Sequence, residues 1–217
     1  MVGSVQLRVT ETFTSIQGEA GSAGFPTTFI RLTGCPLRCA YCDSEYAFGG
    51  GYKKDVTELV EICVNAGVRH VCVTGGEPLA QPNCKSLLYD LCDAGFIVSL
   101  ETSGAMHLEG VDKRVSIVMD IKTPDSNESD KNRLENLSLL QSKDHIKVIV
   151  CSESDFRWFE ALCSREPEIF NAGYIWISPS YNQMNLQRLA ELVIESEYSF
   201  RLQTQLHKQI WGEEIGR

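Results

Sequence analysis

Short aliphatic runs alternate with amphipathic stretches along most of this chain, and that alternation restricts the fold more than any other feature. The runs are Thr27–Leu32, His70–Thr74, Phe96–Glu101, Ser116–Ile121, His145–Val150 and Tyr174–Ser178. They are rich in Val and Ile and bounded by Gly, Pro or polar residues, so they read as parallel strands buried on both faces. Helical patterns fill most gaps. Val56–Ala66 groups Leu59, Val60, Cys63 and Val64 on one face and stops at Gly67; Asn83–Ala94 groups Leu87, Leu88, Leu91 and Cys92 and stops at Gly95. Ser152-Glu-Ser-Asp155 has the form of a capping box opening a helix through Cys163. Asn185–Glu195 repeats Leu186, Leu189, Leu192 and Val193 at helical spacing, Asn132–Leu140 is expected to be helical, and the stretch after Phe96–Glu101 holds little helix. Ser199–Thr204 is a candidate seventh strand or edge.

Strands joined by helical crossovers make an α/β fold, and every such crossover turns the same way, curling the sheet. Six units give a partial, open β/α barrel, since the closed eight-unit form typically needs ~250 residues and this chain has 217. The whole of 1–217 reads as one domain, with an N-terminal hairpin (about 5–26) and a C-terminal tail (about 199–217) capping the open barrel. Chemistry in such folds sits at the carboxyl ends of the strands.

The formal charge of −9, without a basic run, argues against nucleic acid as a partner. No apolar run approaches the ~18 residues of a membrane span, and Met1–Phe13 has neither the basic start nor the apolar stretch of a secretion signal, so a cytoplasmic protein is expected. Nine cysteines, an odd number without an export signal, argue against a disulfide scaffold and for metal or cluster binding by some of them.

Three of the nine fall just after the first strand, in Cys35-Pro-Leu-Arg-Cys39-Ala-Tyr-Cys42. Three close thiolates on a strand-end loop can converge on one soft metal centre. A zinc site would ordinarily want a fourth ligand in a second pair, which this loop lacks, though a zinc-stabilised binding module remains an alternative. The C-x3-C-x2-C loop, with Tyr41 ahead of the third cysteine, resembles the radical S-adenosylmethionine (SAM) superfamily. The resemblance implies that Cys35, Cys39 and Cys42 hold a [4Fe–4S] cluster whose fourth iron chelates SAM. Val71–Pro78 ends the next strand with Thr74-Gly75-Gly76-Glu77-Pro78 and resembles the superfamily's GGEP motif, which implies that Gly75, Gly76 and Glu77 bind the methionine amino group.

Ahead of the cysteines, Glu11–Gly21 and Thr27–Cys35 together resemble the 7-carboxy-7-deazaguanine synthases within that superfamily. By this resemblance Ile16, Gln17, Gly18 and Arg31 bind a carboxylated tetrahydropterin: Gln17 and nearby backbone at the edge of the flat ring, Arg31 on the carboxylate. It further implies SAM contacts from Tyr41, Cys42 and Asp43, Mg²⁺ on the Ser44 hydroxyl, a substrate contact from Thr74, and a contact with the substrate or the ribose from Glu101 in Glu101-Thr-Ser-Gly104. Asp120, Ile121 and Lys122 would contact SAM, as would Ser178, where Ser178-Pro-Ser replaces the Gln-Pro of relatives. Gln205-Leu-His207-Lys208 resembles a terminal motif of the family, beyond which this chain continues through Trp211–Arg217.

The activity implied is a lyase step of queuosine-type 7-deazapurine biosynthesis: ring contraction of 6-carboxy-5,6,7,8-tetrahydropterin to 7-carboxy-7-deazaguanine with loss of ammonia. The implied partners are the small pterin, an electron donor such as flavodoxin or ferredoxin, and a second copy in a homodimer. A glycyl-radical-enzyme activase shares the cysteine loop and is the alternative within the superfamily.

Overall fold

Among the described residues the alternation of runs folds into one nine-stranded sheet with five α-helices. The computed structural model describes residues 5–181, 183–212 and 214–216, so the extreme ends of the expected single domain, and position 213 in its C-terminal cap, lie outside the described residues. The strands are β1 (Gln6–Ile16), β2 (Pro26–Leu32), β3 (Tyr52–Asp55), β4 (His70–Gly75), β5 (Ile97–Thr102), β6 (Ser116–Asp120), β7 (His145–Val150), β8 (Tyr174–Pro179) and β9 (Arg201–Leu202). The helices are α1 (Val56–Ala66), α2 (Cys84–Asp93), α3 (Glu153–Arg165), α4 (Leu186–Glu195) and α5 (Leu206–Trp211).

The sheet order is β3-β1-β2-β4-β5-β6-β7-β8-β9. From β2 to β9 every pairing is parallel, while β1 runs antiparallel to both β2 and β3. β3 and β9 are free edges, so the barrel stays open. One face of each parallel strand meets the helices: Val71, Val73, Leu100, Ile117, Ile146 and Ile177 pack with Leu59, Leu88, Leu91, Phe156, Phe159 and Leu189 in a single core. Burying such a side chain is worth about 1.5–3 kcal/mol. The opposite parity points into the concave face, where Arg31, Thr74, Glu101, Asp120 and Lys147 line a shared cavity.

The β1–β2 turn crosses this concave face. Gln17 and Phe25 close the turn (Gln17 N–H to Phe25 O 2.9 Å). The loop between them reaches the far edge, where Ala20 N–H donates to Gln203 Oε1 (2.7 Å) and Leu206 N–H to Gly18 O (3.1 Å).

Local structure departs from the sequence reading in two places. Asn132–Leu140 forms a 3-10 segment, Leu134–Leu139, instead of an α-helix. The buried Asn136 side chain spans to Leu108 N–H and to the carbonyls of Gly104 and Met106, and such side-chain bonds compete with a regular helix. At the start of α3, Ser152 Oγ accepts from Asp155 N–H (3.3 Å), but the Asp155 carboxylate turns away to Thr123, Asp125 and Cys151. The reciprocal capping box lies at α1, between Asp55 and Glu58. The expected strand or edge at Ser199–Thr204 is present as the two-residue edge strand β9.

Candidate active site

The carboxyl ends of the strands and the β1–β2 loop surround a cavity of about 460 Å³. Its floor at one side is the cysteine loop that follows β2. Cys35, Cys39 and Cys42 are unpaired thiols, each partly exposed. Burial pushes all three thiols up, Cys39 to about 11, so neutral thiols stand there until a cation stabilises the thiolates. Among the described residues no three His, Cys, Asp or Glu side chains form a single-ion site. A four-iron cluster does not require one, because it spreads its thiolates over separate irons; a structural zinc does.

The cysteine loop nests against the glycine pair that ends β4. A side chain on Gly76 would start 2.3 Å from Gly34 O and 2.8 Å from Cys35 Cβ, so only glycine lets the two loops meet. Backbone bonds fix the meeting: Gly76 N–H to Leu32 O (3.1 Å) and Glu77 N–H to Gly34 O (2.8 Å). Gly75 and Gly76 thus line the cavity, but Glu77 does not. Its side chain is fully buried and accepts from Leu79 N–H (2.9 Å), Thr102 O–H (2.9 Å), Ser103 N–H (2.7 Å) and Ser103 O–H (2.5 Å). This carboxylate, expected at the methionine ammonium, here clasps the end of β4 to the end of β5.

Three side chains expected at the substrate meet on the opposite wall. Gln17 Nε2 donates to Glu101 Oε1 (3.1 Å), and Thr74 Oγ1 to Glu101 Oε2 (3.1 Å). Gln17 Oε1 accepts from Gly18 and Glu19 N–H, which locks the amide's orientation. Ile16 and Gly18 line the same wall. Arg31 is largely buried, with its Nε 2.7 Å from Glu11 Oε1 and its guanidinium about 6 Å from the Phe13 and Tyr46 rings. Tyr46 O–H donates to the same Glu11 oxygen (2.8 Å), so Glu11 sets the guanidinium's orientation.

A third group lies between the cysteine loop and β6. Lys122 pairs with Asp120 (2.9 Å) and stands over the Tyr41 ring. Asp120 Oδ1 and the Tyr41 hydroxyl are buried without a partner among the described residues, and such orphaned polar atoms facing a cavity fit a ligand. Ile121 is buried away from the cavity. Ser44 O–H donates to Asp43 (2.9 Å), and Lys208 pairs with that carboxylate (3.2 Å). Ser178 lines a smaller cavity of about 330 Å³ next door, where its buried hydroxyl also lacks a partner.

Sequence reasoning missed one group. Lys147, from the middle of β7, pairs with Glu19, whose other oxygen accepts from Gln205 (2.6 Å). Burial opposes the Lys147 cation, but Glu19 and then Asp120 outweigh it and raise its pKa; burial likewise opposes the Glu19 charge, and Lys147 outweighs it and lowers that pKa. The available signal was a lysine interrupting His-Ile-Lys147-Val-Ile-Val, which periodicity alone reads as an outward position. His207 lies against Gly18, and burial holds its imidazole pKa below the usual range despite Glu19 and Asp43.

Comparison with known proteins agrees with this geometry. Residues 29–149 match the radical SAM superfamily. A 7-carboxy-7-deazaguanine synthase of Methanospirillum hungatei is 38% identical over 205 residues, covering 94% of this chain and 85% of that one. The enzyme of the same name from Chlorobaculum tepidum is 36% identical, covering 95% and 94%. The crystal structure of QueE from Escherichia coli shares the fold, with a TM-score of 0.78 at 24% identity over 93% of this chain and 95% of that one. The chain thus belongs to the radical SAM superfamily and, within it, to the 7-carboxy-7-deazaguanine synthase family.

Proposed function

We propose that this chain contracts the ring of 6-carboxy-5,6,7,8-tetrahydropterin to 7-carboxy-7-deazaguanine, releasing ammonia. The observation that carries the reading is one cavity walled on one side by three cysteines and on the other by Gln17, Thr74, Glu101 and Arg31. A [4Fe–4S] cluster held by the cysteines, with SAM, would supply radical chemistry for hydrogen abstraction. The protein's share is to bind, orient and exclude.

Cys35, Cys39 and Cys42 would hold three irons, leaving the fourth for SAM. The Gly75–Gly76 backbone, Tyr41, Asp43, the Asp120–Lys122 segment and Ser178 would surround that cofactor, Asp120 and Tyr41 through the polar atoms the chain leaves unpaired. Ile121 would contribute backbone only, its side chain being buried. Glu101, fixed by Gln17 and Thr74, presents carboxylate oxygens to the N–H edge of a flat pterin, and the backbone of Ile16 and Gly18 adds to it. Arg31 would hold the substrate carboxylate, with Glu11 fixing its Nε side. Ser44 would supply one hard oxygen to a Mg²⁺ ion that keeps its remaining ligands from water and substrate.

The walled cavity suits a small molecule better than the glycyl-radical loop that an activase must admit. Within the same proposal the enzyme is a cytoplasmic single-domain homodimer reduced by a flavodoxin or ferredoxin. No helix among the described residues is long and apolar enough to cross a membrane. Anaerobic reconstitution with iron and sulfide, then incubation with SAM, Mg²⁺, a strong reductant and the carboxylated tetrahydropterin, tests the reaction. Deazaguanine product is expected, and its absence from protein that carries the cluster rejects the proposal. Ser44→Ala should weaken the Mg²⁺ dependence of turnover; unchanged dependence removes Ser44 from the ion.

A further inference from the structure

The larger and smaller cavities share a wall, and three of the residues that line both are Glu19, Lys147 and Gln205. They come from three separate segments: the β1–β2 loop, the middle of β7, and the residue ahead of α5. Glu19 joins them, one carboxylate oxygen taking the Lys147 ammonium and the other the Gln205 amide. Two further links run parallel to this pair. Gln203 and Ala20 exchange hydrogen bonds (2.7 and 3.3 Å), and Leu206 N–H donates to Gly18 O. Of the three residues only Lys147 stands on a strand inside the sheet, in register with Asp120 on β6 and Trp176 on β8. The loop is also held by Gln17 on Glu101 of β5 and the tail by Gln203 N–H on Ile177 O of β8, and Lys147, through Glu19, ties the two together to the middle of the sheet.

We propose that Lys147 is a positioning residue that fixes the wall between the two cavities by holding Glu19. The inference rests on the reaction proposed above, because it assigns the pterin to the larger cavity. A fixed wall sets how closely the substrate can lie to the cofactor side and keeps the substrate edge of Gln17 and Gly18 in place, since both precede Glu19 directly. Removing the cation leaves Glu19 a buried charge without its partner, which drives the carboxylate toward water and the loop with it. The chain would still fold and still bind a cluster, but the loop and the tail would open.

The test uses Lys147→Met, which keeps length and apolar volume, together with the double variant Lys147→Met/Glu19→Gln. Hydrogen–deuterium exchange on the cofactor-free protein reads the wall directly. Exchange in 17–25 and 203–208 should rise by about tenfold or more in Lys147→Met, while β6 keeps its protection. In the reconstituted enzyme KM for the pterin should rise roughly tenfold with a smaller change in kcat, and more 5′-deoxyadenosine should form per product. The double variant should do no further harm, because Lys147 acts through Glu19. Unchanged exchange in both segments overturns the proposal, as does a loss confined to kcat, or a double variant whose losses add. If neither variant folds, Lys147 is a general stabiliser and the proposal also fails. A parent enzyme that makes no deazaguanine would reject the reaction while leaving the exchange result to stand for the wall itself.

Discussion

Replacing Glu77 by Gln should destabilise the fold rather than weaken SAM binding. The carboxylate is fully buried, and two backbone N–H groups aim at different oxygens: Leu79 at Oε1 (2.9 Å) and Ser103 at Oε2 (2.7 Å). A glutamine amide therefore sets its NH₂ against one of these donors in either flip. The buried N–H left unpaired costs ~1–3 kcal/mol, and loss of charge assistance on the remaining bonds adds to it. A total near 3 kcal/mol is a large part of the ~5–15 kcal/mol that holds a domain together. In a chain of this size 1 kcal/mol moves the midpoint by about 2–4 °C, so a drop of roughly 6–12 °C is expected. Thermal melting and urea unfolding of the cofactor-free protein measure it. A Glu77→Gln protein that melts within about 2 °C of the parent, yet loses SAM affinity after reconstitution, would refute the reasoning and return Glu77 to the cofactor.

Cys39→Ala should abolish the visible absorption of reconstituted protein and all SAM cleavage while leaving the circular dichroism unchanged, because the thiol is partly exposed and outside the core; a variant that still takes up a full cluster removes Cys39 from the ligand set. Gly18→Ala places a methyl carbon 2.1 Å from His207 Nδ1 and 2.9 Å from the His207 backbone nitrogen, so it should push α5 away and raise KM for the pterin by about tenfold or more, with unchanged kinetics as the contrary result. The Glu19–Lys147 pair also has a pH signature. The lowered Glu19 pKa contributes stability that is present above the unfolded value near 4.5 and is lost as pH falls through the folded one. The raised Lys147 pKa contributes stability that is complete below the unfolded value near 10.5 and is lost as pH rises through the folded one. Protection of residues 17–25 against exchange, corrected for intrinsic rates, should therefore stay level between about pH 5 and 10 and fall in stronger acid; a fall near neutral pH would implicate another group.

What the sequence discloses about such a site depends on whether its signal is local. The parallel strands were legible because both faces are covered, so Val71-Cys-Val and His145-Ile-Lys-Val-Ile-Val announce themselves within a few residues. β3 was not, because Tyr52-Lys-Lys-Asp55 lies at an exposed edge and carries no apolar pattern. The cysteine trio and the glycine pair are likewise local, and the structure brings them together where their spacing placed them, at adjacent strand ends. Glu77 marks the limit of that logic: the motif locates the residue, but only the fold shows that Thr102 and Ser103, at the end of the neighbouring strand, supply most of its donors. Lys147 lies wholly beyond it. A single lysine in an apolar run has the same sequence appearance whether it faces solvent or a buried acid. Its partner, 128 positions away, reaches it only because β1 and β2 form one hairpin whose turn spans the open barrel. Contacts across the sheet are fixed by register, and register is a property of pairings, not of any one strand. Side chains that act within one loop can therefore be read from the sequence, whereas those that tie loops to strands emerge only once the sheet is ordered.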